Sequence, residues 1–163
     1  MVGHSGSGKS AIIQHIALQY RTQGWVVKPV YSVEEIHHAF KATNFIKDKT
    51  IFVFNDPIGK ESFDEMLFHA WGPYRETLGL LLKHAKLLLT CRKSIFSDER
   101  AKRLFTKEGK IIYIEQNEIK LSRKEKELMI EKHFKEQPTE DEISKLLEID
   151  IYFPLLCKMC SML

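Results

Sequence analysis

Apolar residues at Ala11, Ile12, Ile16, Ala17 and Tyr20 recur at helical spacing and give way to Gly24, which predicts a helix that begins inside the glycine-rich segment before it. Four short, almost wholly apolar runs, Trp25 to Val30, Thr50 to Phe54, Lys86 to Thr90 and Ile111 to Ile114, predict strands. Helical patterns separate them: Val33 to Phe40, which Ser32 is placed to cap; Phe63 to Ala85, which Gly72-Pro73 should break or kink; and Ser97 to Phe105. Strands that are apolar throughout, rather than alternating, and that are separated by helices predict a mostly parallel sheet covered on both faces, the doubly wound α/β layout. Beyond Leu121 the pattern changes. Ser122 with Glu125 and Thr139 with Glu142 form capping boxes, each ahead of a helical pattern, with Pro138 between them. The expected organisation is an α/β domain over residues 1–121 and a helical appendage over 122–163.

Composition fits this layout. The 163 residues are 44% apolar and 29% charged, enough for one sizeable core. The 25 basic and 22 acidic residues are mixed along the chain, and a net charge of +3 is too mild to point to nucleic acid. No apolar run approaches the roughly 18 residues that span a bilayer, and the start lacks the regions of a secretory signal, so a cytoplasmic location and no membrane partner are expected. Cys91, Cys157 and Cys160 are read as free thiols. Cys157 and Cys160 make a CxxC, but no second pair stands nearby to complete a zinc site, and at helical spacing the two share a face, which favours core packing.

Gly3-His4-Ser5-Gly6-Ser7-Gly8-Lys9-Ser10 matches the phosphate-loop pattern GxxxxGK[ST], and the helical pattern follows at once, as the mechanism of that motif requires. The glycines let the backbone curl so that successive N–H groups point inward, and the helix beginning near Lys9 adds its positive end. Lys9 is expected to reach the β- and γ-phosphates of a nucleoside triphosphate and the Ser10 hydroxyl to ligate Mg²⁺.

The run Thr50 to Phe54 ends in Asn55 and Asp56, at the carboxyl end of a parallel strand, where a metal-binding carboxylate belongs in such a site. The amide of Asn55 carries no charge to offset a cation, so either Mg²⁺ is held more weakly or Asp56 takes over. The same residues also read as a strand closed by an Asn-Asp-Pro turn. Lys86 to Thr90 repeats the arrangement, with Arg92 two residues past its end, in position to meet a γ-phosphate or else to pair with a surface acid. His4 sits at a variable position of the loop, and no histidine has a partner spacing for metal.

The segments GHSGSGKS, IFVFNDPIGKES, LLLTCRKS and YFPLLCKM, in this order and over nearly the whole chain, resemble the novel STAND NTPase family of the third type. STAND proteins are signal-transduction ATPases related to the AP-ATPase and NACHT groups. The resemblance implies a Walker A loop at Gly3–Ser10, a Walker B element at Asn55 and Asp56, a sensor arginine at Arg92, and a helical lid in which Pro154 contacts the nucleotide base. Asn55 departs from the aspartate usual at its position, which predicts slow hydrolysis. Only Met1 and Val2 precede the loop, so the first strand is expected to be missing and the chain to be a fragment of a longer protein with effector and sensor domains. The implied activity is that of an ATP-binding switch with slow Mg²⁺-dependent hydrolysis, catalytic roles for Asp56 and Arg92, and nucleotide-dependent assembly into a homo-oligomer. Two alternatives remain: a nucleotide-binding scaffold without turnover, and a small-molecule P-loop kinase with Arg92 and Arg100 or Arg103 in a lid over a phosphoryl acceptor.

Overall fold

The computed structural model describes residues 1–105, 109–114, 121–134, 138–149 and 153–160. The chain divides into two compact units, Met1–Val2 with Ser10–Ile112, and Gly3–Lys9 with Tyr113–Leu163.

The sheet consists of strands β1 (Val2–Gly3), β2 (Val26–Val30), β3 (Thr50–Asn55) and β4 (Ala85–Arg92), all parallel and in the order β1-β4-β3-β2, and all but Gly3 belong to the first unit. The register sets Val30 beside Phe54 and Asn55 beside Thr90, so β4 runs two residues past the end of β3 to Arg92. Ile51 to Phe54 of β3 are all buried, as a central strand covered on both faces requires. Successive side chains point to opposite faces. Val53 packs with Ile13 and Ala17 of helix α1 (Lys9–Thr22), among Met1, Val27 and Leu88. Phe54, on the other face, stacks on Trp71 with ring centroids 6.0 Å apart.

The remaining elements of this unit follow local chemistry. Helix α2 (Val33–Lys41) starts where Ser32 Oγ accepts the Glu35 N–H. The long pattern from Phe63 gives α3 (Glu65–Ala70), a 3₁₀ turn at Gly72–Tyr74 and α4 (Arg75–Leu81), with the break at Gly72-Pro73. The single helix expected over 97–105 is instead α5 (Lys93–Phe96) and α6 (Glu99–Phe105). Asp98 divides them, because its carboxylate accepts the Arg100 N–H at 2.8 Å, a helix-starting bond.

Two strand expectations change. Ile111 to Ile114 forms no fourth long strand; only Tyr113 makes an isolated bridge, and the Ile112 carbonyl accepts the Val2 N–H at 2.8 Å. A β1 of two residues offers the run no longer ladder to join. The first strand, expected to be missing, is represented by that pair of residues.

In the second unit both capping boxes form, Ser122 with Glu125 at the start of α7 (Arg123–His133) and Thr139 with Glu142 at the start of α8 (Glu140–Leu147). With α9 (Phe153–Cys160) they enclose a core of Ile130, Phe153 and Cys157, flanked by Leu121, Met129, Phe134, Ile143, Leu146 and Leu147. The Cys157 thiol is therefore a core group; the side chain of Cys160 lies outside the described residues. Lys126 is 5% exposed, and its ammonium donates to the carbonyls of Leu147 (2.8 Å) and Ile149 (2.9 Å) and lies 5.3 Å from the Phe153 ring centroid. Among the described residues no helix is long and apolar enough to cross a membrane.

Candidate functional site

The loop from Gly3 to Lys9 curls because two of its residues hold conformations closed to most side chains: Gly6 has φ +71° and Gly8 φ +85°. The curl returns the chain onto its own carbonyls. His4 O accepts from Ser7 Oγ at 2.9 Å, and the Lys9 ammonium donates to Gly3 O at 3.1 Å and to His4 O at 2.5 Å. Lys9 is buried, so these dipoles offset part of the cost of taking a cation out of water. His4, Ser5 and Ser7 are half-buried, and Ser10, in the first turn of α1, is exposed.

The same unit sets α9 against this loop. A methyl group on Gly6 would lie 2.7 Å from Leu155 Cβ, and one on Gly8 would lie 3.8 Å from Pro154 Cγ. Pro154, singled out in the sequence, therefore neighbours the loop; Leu155, which no motif marks, approaches it more closely.

In the first unit, Asn55, Asp56, Thr90 and Arg92 gather at the carboxyl ends of β3 and β4. Thr90 is fully buried and links the two strand ends. Its hydroxyl donates to Asn55 Oδ1 at 3.1 Å and accepts the Asp56 N–H at 3.1 Å, while its carbonyl also accepts the Asp56 N–H at 3.2 Å. Asp56 takes φ +50°, a left-handed conformation that Asp tolerates better than most residues. The following turn is tight: Gly59 N–H donates to Asp56 O, and at φ +121° a Cβ on Gly59 would run into the Ser62 carbonyl.

Arg92 ends β4 and is half-buried; among the described residues its guanidinium has no hydrogen-bond or ion-pair partner, and it bonds neither Asn55 nor Asp56. Arg100 is tied instead to Asp98 and Glu65, each at 2.8 Å. Among the described residues no group of three or more His, Cys, Asp or Glu side chains could hold a metal ion, so a divalent cation here would have to complete its shell with oxygens of the ligand and water. Sequence reasoning missed the linking role of Thr90. Its signal was a hydroxyl at the end of an otherwise apolar strand, where a buried polar group needs a partner.

No curated protein and no solved structure matches the chain. The family Novel STAND NTPase 3 does, over residues 1–136, a span that takes in the glycine-rich loop, both strand ends and α7 but stops short of Pro154 and Leu155. A match of that extent, on a parallel α/β sheet with the loop leading into α1, makes this chain a member of the Novel STAND NTPase 3 family and hence a nucleotide-binding NTPase.

Proposed function

We propose that the protein is an ATP-operated switch of the STAND type, which hydrolyses ATP slowly and self-assembles in its ATP form. The observation that carries this reading is Arg92: a half-buried cation at a strand end, with no partner among the described residues, can take a γ-phosphate that ADP lacks. A ligand shifts a conformational equilibrium only through such differential contacts.

The remaining roles divide between the loop and the strand ends. The backbone N–H groups of Gly3 to Ser10 take the β-phosphate, and Lys9 exchanges carbonyl partners for phosphate oxygens. The residues suit ATP and Mg²⁺ chemically: a buried ammonium held by carbonyl dipoles, an exposed Ser10 hydroxyl, and the Asp56 carboxylate at the end of β3. Ser10 and Asp56 would hold the ion, which when bound neutralises charge on the phosphate oxygens. Asp56 and Arg92 are the catalytic candidates, and Pro154 the base contact. The helical lid is the segment 122–163. The expected setting is the cytoplasm, with effector and sensor domains as partners.

The test is a pair of titrations, ATP and ADP, followed by sedimentation and phosphate release with each nucleotide. The switch requires tighter binding and larger species with ATP than with ADP. Equal affinities with no change in size would remove it. A second reading, a scaffold that binds nucleotide without turnover, is favoured by the uncharged Asn55, and absence of phosphate release from a tight ATP complex would select it. The kinase alternative draws less support, because Arg100 is engaged by two acids of its own unit.

A further inference from the structure

Asn55 stands where the general pattern places a metal-binding aspartate, but its orientation favours a different task. Thr90 is 0% exposed, so its hydroxyl hydrogen cannot turn to water and must find an acceptor in the protein. Thr90 Oγ1 already accepts the Asp56 N–H, and the partner within reach of the hydroxyl hydrogen is Asn55, 3.1 Å away. An amide turned the other way would set NH₂ against the hydroxyl and leave that hydrogen without an acceptor. The carboxamide oxygen of Asn55 is thus directed at β4. Its NH₂ group, on an exposed residue, donates to no described residue.

We propose that Thr90 is a positioning residue that holds Asn55 with its NH₂ group outward, so that Asn55 donates a hydrogen bond to a phosphate oxygen of the bound nucleotide instead of ligating metal. This rests on the reading of the strand ends as part of the nucleotide site. An amide NH₂ complements an anionic oxygen and cannot coordinate a cation, whereas a carboxylate at the same place repels the anion. Asp56, whose N–H the same hydroxyl and carbonyl accept, is left as the carboxylate for the ion.

The experiment measures ATP binding to the full chain by calorimetry, with Mg²⁺ and again in EDTA, for the wild type, Asn55→Asp, Thr90→Val, Thr90→Ser and Lys9→Ala. Asn55→Asp is expected to weaken ATP about tenfold or more in both conditions, the effect of losing a hydrogen bond to a charged group. Thr90→Val, which frees the amide to rotate, is expected to weaken ATP by about threefold to tenfold, and Thr90→Ser, which keeps the hydroxyl, by no more than about twofold. Tighter Mg²⁺-dependent binding in Asn55→Asp would overturn the proposal and restore Asn55 to the metal. Asn55→Asp binding like wild type, while Lys9→Ala has lost ATP, would overturn it and leave the phosphate-loop reading intact. Unchanged binding in Lys9→Ala would overturn both. Asn55→Asp keeps the local volume and Thr90→Ser removes only a methyl group, so the outcome does not depend on Thr90→Val folding.

Discussion

Leu155 occupies the space that any side chain on Gly6 would need: its Cβ lies 2.7 Å and its Cδ2 2.8 Å from the place of a Gly6 methyl group. Gly6 is thus required twice, for its φ of +71° and for the approach of α9. Gly6→Ala should cost about 1–3 kcal/mol from the backbone conformation and a further ~1–3 kcal/mol from overpacking. Leu155 is 38% exposed, so Leu155→Ala alone should cost little, yet in the Gly6→Ala background it should return the overpacking share. Denaturant unfolding of the four proteins in this cycle measures the difference. Identical costs of Gly6→Ala in both backgrounds would separate α9 from the loop.

Lys9→Ala should weaken ATP by at least about a hundredfold, since it removes charge-assisted bonds worth roughly 1.5–3 kcal/mol each. The loop conformation should survive, because Gly6 and Gly8 set it. Retained affinity with an unchanged circular dichroism spectrum would dismiss the loop as the phosphate site.

Arg92→Ala separates recognition of the third phosphate from binding in general. A charge-assisted bond there is worth about 1.5–3 kcal/mol, and its loss should fall on ATP while ADP is nearly unaffected. Self-association driven by ATP should decline in parallel. An equal loss for both nucleotides would make Arg92 a structural residue.

Lys126→Met should destabilise the helical unit despite preserving much of the buried stem. The carbonyls of Leu147 and Ile149 lose their donor, at about 1–3 kcal/mol for each left unsatisfied, and the cation over Phe153 is lost as well. Hydrogen exchange in α7 and α8 should accelerate while β3 stays protected; uniform exchange would contradict this.

Asp98 gives a pH signature. Hydrogen bonds from the Arg100 side chain and backbone lower its pKa from the ordinary 3.8 to about 2. A folded-state pKa below the unfolded value means that the stabilisation is complete above 3.8 and fades as pH falls through 2. Asp98→Asn keeps the acceptor for the Arg100 N–H but not the charge. Its melting temperature should trail the wild type at pH 6 and converge with it near pH 2; a constant gap would assign the difference to packing.

What could be read from the sequence was whatever short-range chemistry decides. The capping boxes at Ser122 and Thr139, the Ser32 cap and the break at Gly72-Pro73 depend on residues within one turn of each other, and all formed. Apolar runs located β2, β3 and β4 for a similar reason. Ile111 to Ile114 misled because a strand needs a neighbour of matching length, which a run of apolar residues does not reveal. Asp98 was overlooked inside a helical pattern because Ser97 and Asp98 favour local hydrogen bonds over helix continuation. The hydroxyl of Thr90 marks a need for a partner, but the partners of Thr90 and Leu155, Asn55 and Gly6, are set by register and by helix packing across long stretches of chain.

The turn that follows β3 links the strand end to the cap of α3. From Asp56 to Asp64 the backbone fastens to itself at Gly59 and again where Asp64 N–H meets Ile58 O. Pro57 and Ile58 are wholly buried, and the indole of Trp71 donates to Pro57 O. Asp64 then caps α3. Lys60, Glu61 and Ser62 stand exposed between these fastenings, so the start of α3 is tied to the end of β3 through Pro57, Ile58 and Gly59. An ion taken by Asp56 would therefore sit one short, self-bonded turn away from the cap of α3.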